Sequence, residues 1–84
     1  MRIDKFLKVA SLIKRRTLAN EACSAGRVSV NGKEAKSGTV VKTGDIIEIR
    51  FGSGVTKVEV LKLLESTKKE DAEQMFALID TAHS

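Results

Sequence analysis

Arg2, Lys5 and Lys8 recur every three residues, and Lys14-Arg15-Arg16 follow as an unbroken run. Cations gathered this way break no bonds. They bind polyanions, with phosphate the favoured ligand. Other residue types that could do chemistry are sparse. The single histidine, His83, lies where chains fray, which is a poor place for a general base. The single cysteine, Cys23, falls on an apolar helical stripe and reads as a small core residue rather than a nucleophile. Asp4 and Asp45 stand at a helix start and a turn, positions that aspartate fills for structural reasons. Gly52-Ser53-Gly54 has no helix after it and reads as a hairpin turn, not a phosphate loop. An enzyme is not expected, and neither is a bound metal or other cofactor.

Charge is divided unevenly along the 84 residues. Residues 1–42 hold ten basic and three acidic side chains, a net +7, whereas residues 43–84 are net −3. A one-sided positive field points to nucleic acid as partner. One cysteine excludes an internal disulfide, and one cysteine with one histidine is too few for a zinc site. No apolar run approaches the ~20 residues that a membrane-spanning helix needs, and no signal-peptide core is evident. With 42% hydrophobic and 31% charged residues, the composition is that of a small, basic, globular domain.

The elements that must position the cations can be read from periodicity. Ile3, Phe6, Leu7 and Ala10 share one helical face over residues 2–10, with Arg2, Lys5 and Lys8 opposite. The period breaks at Ser11–Lys14, which reads as a turn. A second helix follows with Leu18, Ala19, Ala22 and Cys23 as its apolar stripe, stopped by Gly26. Side-by-side packing of the two helices would bring both basic clusters together. Alternation then replaces the helical period. Val28-Ser29-Val30, Asn31-Gly32 and the segment from Lys33 to Ala35 spell a tight hairpin. Residues 45–51 and about 56–63 read as two longer strands. Thr67 with Glu70 fits a capping box, and Ala72, Met75, Phe76 and Ile79 follow at helical spacing, so a C-terminal helix is expected to pack on the sheet. The fold class is α+β. Two N-terminal helices pack on a short, mostly antiparallel sheet, with residues 1–65 as the binding domain and 66–84 as its C-terminal helix.

The three aromatic residues, Phe6, Phe51 and Phe76, all fall on expected core faces, which leaves no ring for stacking on bases. Recognition should therefore rest on contacts to the phosphates of folded RNA.

The spaced motifs Arg2-x-Asp4-x-x-Leu7, Arg16-Thr17-x-Ala19, Gly26-Arg27-Val28-x-Val30-Asn31-Gly32 and Val41-x-x-Gly44-Asp45-x-Ile47 resemble the S4-type RNA-binding domain over about residues 2–50. The opening Met1–Val9, the run Leu12–Ala19 and the tail around Thr67–Glu70 are similar to short bacterial members of that family that serve ribosome-associated quality control. Heat-shock members usually carry a longer basic tail, from which this short acidic tail departs. The resemblance implies a cytoplasmic, ribosome-associated accessory factor on a large ribosomal subunit that still holds peptidyl-tRNA. It would lie between large-subunit rRNA and P-site tRNA, acting with an RqcH-like factor in C-terminal alanine tailing. By position, Arg2 and Arg16 take the RNA backbone contacts, with Lys5, Lys14 and Arg15 in electrostatic support. Lys33 and Lys36 are further candidates, for which a solvated strand lysine is an equal reading. Asn31 and Gly32 shape the turn. Two alternatives stand beside this one: a heat-shock-type rescue factor that acts without tailing, and a protein-interaction module working through its acidic tail. No membrane partner is implied, and a monomer suffices.

Overall fold

The computed structural model describes residues 1–52, 54–64, 72 and 74–83. Helix α1 (Ile3–Val9) turns Ile3, Phe6 and Leu7 inward, all fully buried. Each such side chain contributes roughly 1.5–3 kcal/mol on burial, far more than seven residues could gain as an isolated helix. The helix closes through Ser11 at φ 60°. The Ser11 amide donates to Lys8 O (3.0 Å) and the Leu12 amide to Leu7 O (3.0 Å), a closure that usually falls to glycine. Helix α2 (Arg16–Ser24) ends the same way at Gly26, φ 74°, with Gly26 N donating to Cys23 O (3.0 Å) and Arg27 N to Ala22 O (2.9 Å).

Five antiparallel strands follow: β1 (Val28–Val30), β2 (Lys33–Glu34), β3 (Ile46–Phe51), β4 (Gly54–Val60) and β5 (Phe76–His83), in the order β2-β1-β3-β4-β5. Val30 pairs with Lys33 across Asn31 (φ 52°) and Gly32 (φ 84°), the two-residue turn expected from the sequence. The Asn31 side chain also locks the hairpin to the next loop. Its Oδ1 accepts from Ile46 N (2.9 Å), and its Nδ2 donates to Asp45 Oδ1 (3.1 Å). The core lies between the helices and one face of the sheet, where Ile3, Phe6 and Leu7 of α1 share one buried cluster with Val28, Ile47, Ile49, Val58 and Val60.

The expected α+β domain of two helices on an antiparallel sheet is present, with one correction. Phe76–His83 is a strand, not a helix, paired with β4 from Val60↔Phe76 to Gly54↔His83. Met75 and Ala72 are buried as expected, but Ile79 is exposed. The open edge of β4 offers a row of backbone partners, and β-branched Ile79 and Thr81 suit a strand. The capping box of Thr67 and Glu70 lies outside the described residues. Two side chains also depart from their expected burial. Leu18 on α2 is 47% exposed, and Phe51 is 45% exposed because the core ends at Ile49 and the last residue of β3 runs past it.

Candidate nucleic-acid interface

The site is built around a buried acid. Asp4 lies in the first turn of α1 and its side chain is only 3% exposed. A carboxylate so deeply placed needs partners, and the described residues supply three. The Lys5 amide donates to Oδ1 at 2.8 Å, Arg2 Nη2 lies 3.4 Å from Oδ2, and Arg16 reaches Oδ2 through Nε (3.4 Å) and Oδ1 through Nη2 (3.5 Å). Two arginines fourteen positions apart are thus gathered on one anion. Both stay open to solvent, with side chains 53% and 50% exposed. Asp4 takes up only part of each five-donor fork, so the pair can bind phosphate while held in place.

The backbone sets where each arginine starts. Arg2 sits just before α1 in extended conformation (φ −68°, ψ 144°), bridged to Val40. Arg16 is the first residue of α2, behind an extended Arg15 that supplies no side-chain cap. The loop after β2 passes close by: a Cβ on Gly38 would lie 3.9 Å from Arg2 Nη2. Lys36 belongs to that loop, its amide donating to Thr39 Oγ1 (2.9 Å).

The structure therefore brings Arg2 and Arg16 together, whereas Lys36 lines a separate hollow with Cys23, Ser24 and Glu34. Half-buried Lys5 contributes its amide to the Asp4 cluster. Lys14 and Arg15 are exposed on the link leading into α2, and Lys33 is exposed on edge strand β2 beside the hairpin turn. The placement of Asp4 at a helix start explains its residue type without revealing its part in the cluster. The one signal available was its position as the sole acid among the first twenty residues. Thr17 and Asn20 join Asp4 and Arg16 around a shallow depression at the start of α2.

Cys23 is buried on the inner face of α2. Burial pushes its thiol up from the ordinary value, and the Asp4 carboxylate adds to the rise, so a neutral core thiol is favoured over a thiolate. Among the described residues, no group of three His, Cys, Asp or Glu is placed to hold a metal ion.

Two helices on an antiparallel sheet, with paired arginines at the helix starts, define an S4 domain, and the model of that family matches residues 1–47. The chain is 55% identical over 76 residues to an RQC P-site tRNA stabilizing factor of Halalkalibacterium halodurans, covering 90% of this chain and 86% of the relative. It is 51% identical to the protein of the same name from Bacillus subtilis, covering 94% and 92%. Among solved structures, the trimeric Heat Shock Protein 15 of Vibrio cholerae superposes with a TM-score of 0.87 at 29% identity, over 94% of this chain and 81% of that one. The chain belongs to the S4-domain family of RQC P-site tRNA stabilizing factors.

Proposed function

We propose that this chain is a non-catalytic, cytoplasmic factor that binds large ribosomal subunits obstructed by peptidyl-tRNA. It contacts rRNA and P-site tRNA and supports C-terminal alanine tailing by an RqcH-like partner. The observation that carries this reading is the Arg2–Asp4–Arg16 cluster, which lies inside the segment matched by the S4 family and presents two half-exposed guanidinium groups from one buried anion. Lys5, Lys14, Arg15 and Lys36 add positive potential around it, and Lys33 extends it along the hairpin. The names of the relatives supply the place of action, the P-site tRNA. The heat-shock reading has the shared fold in its favour but is weaker at 29% identity.

Sedimentation tests the proposal. The full chain should co-migrate with large subunits that carry peptidyl-tRNA and bind them more tightly than empty ones. Arg16→Ala should weaken binding by about 1–2 kcal/mol and lower the slope of log K against log salt by somewhat under one. A chain that stays at the top of the gradient at both low and moderate salt overturns the ribosomal reading.

A further inference from the structure

A second feature of the surface is unused by the arginine cluster. Between α2 and the end of β3 lies a cavity of about 450 Å³, walled by Ile13, Leu18, Ala22 and Phe51. Leu18 and Phe51 are each nearly half exposed, an unusual disposition for two large apolar side chains facing one hollow. The rim is charged: Arg27 and Arg50 both line it, with Glu21 as the acidic member. Arg27 and Arg50 are adjacent, since the Arg50 amide donates to Arg27 O at 2.8 Å. Arg50 meets Glu48 only at 4.0 Å, with its side chain 64% exposed, so it stays available to a ligand.

We propose that this hollow is a subsite for one unstacked RNA base, which stacks on Phe51 and packs against Leu18 while Arg27 and Arg50 take its flanking phosphates. The inference rests on the RNA-binding reading given above. An aromatic face next to paired arginines suits a nucleotide, which is planar, apolar across its faces and anionic at its backbone. A purely apolar protein partner would have no use for two arginines lining the hollow. The hollow is lined by neither Arg2, Asp4 nor Arg16, so one domain can hold RNA at two points.

The experiment is equilibrium binding of the full chain to purified large ribosomal subunits carrying peptidyl-tRNA, for the unaltered protein, Phe51→Ala and Phe51→Leu, with thermal melts to check folding. Stacking predicts that both substitutions weaken binding about tenfold without changing the salt slope, because no charge is removed. Three results overturn the proposal. Affinity unchanged in both variants removes the hollow from the interface. Loss in Phe51→Ala with full recovery in Phe51→Leu marks an apolar contact with protein rather than a stacked base. Failure of the unaltered chain to bind at all sinks the ribosomal reading itself, and the subsite with it.

Discussion

Arg16 rests one edge of its guanidinium on the carboxylate of Asp4, with Nε 3.4 Å from Oδ2 and Nη2 3.5 Å from Oδ1. The two residues lie in the first turns of different helices, so the contact ties the relative position of α1 and α2 to the aim of the Arg16 guanidinium. An acid at the centre of a basic surface lowers its charge, yet fixes where the remaining charge points.

These two effects of Asp4 oppose each other and can be separated. Asp4→Asn makes the chain one unit more positive than its native +4. If charge alone set affinity, RNA would bind more tightly. Because Asp4 positions both arginines, binding to large subunits should instead weaken about five- to tenfold, the scale of one charge-assisted contact. Affinity at matched salt decides, with a melting curve to show that the variant folds.

Ser11 holds a positive φ that a glycine would adopt without a Cβ penalty. Ser11→Gly should therefore stabilise the fold by about 1 kcal/mol, raising Tm by roughly 4–8 °C for a domain of this size. Gly26→Ala should do the reverse, since its φ is also positive and the Glu34 side chain occupies the space of a Cβ. An unchanged Tm in both variants would contradict the strain argument.

Asn31 is bound into the hairpin by both ends of its side-chain amide. Asn31→Ala removes the bonds to Ile46 N and Asp45 Oδ1 and places alanine in the left-handed region. It should cost about 1–2 kcal/mol of stability, measured by denaturant unfolding, while affinity for subunits stays within twofold under conditions where the variant is folded. A large affinity loss would place Asn31 in the interface.

The Cys23 thiol gives a pH signature. Its folded pKa is raised above the ordinary 9.0 by burial first and by Asp4 second. Above that pH the unfolded chain has lost a proton that the folded chain keeps, so this contribution is fully present below about pH 8 and is lost as pH rises past 9. Urea unfolding between pH 7 and 10 should show a steeper alkaline decline for the native sequence than for Cys23→Ala. The native thiol should also resist alkylation near neutral pH.

Much of the fold could be read from residues whose chemistry permits few backbone states. Gly26 and Asn31-Gly32 announced their turns because few other residue types take a positive φ readily. The turn at Ser11 showed only as a break in periodicity, since serine carries no such signature. The spacing of Ala72, Met75, Phe76 and Ile79 suits a helix as well as short runs often do, and the choice of strand is made by the edge of β4, which no local pattern contains. Phe51 alternates in phase with Ile47 and Ile49, but the sheet outruns its core one pair later. In the candidate site, the nearness of Arg2 and Arg16 was legible through the side-by-side packing expected of their helices. Their common partner was not, because a contact across twelve residues leaves no mark in spacing.

The bridge of Arg2 to Val40 has an entropic meaning. Residues on both sides of Arg2 are fastened to the same loop: the Ile3 amide donates to Thr39 O at 2.7 Å, and Met1 O accepts from Val41 N at 2.9 Å. Immobilising a free backbone residue costs about 1–2 kcal/mol, and a binding arm that orders only on contact must meet that cost out of its own affinity. Here folding has already met it. Arg2 is thus preorganised, and in the proposed RNA contact more of its energy would be left to lengthen the lifetime of the complex.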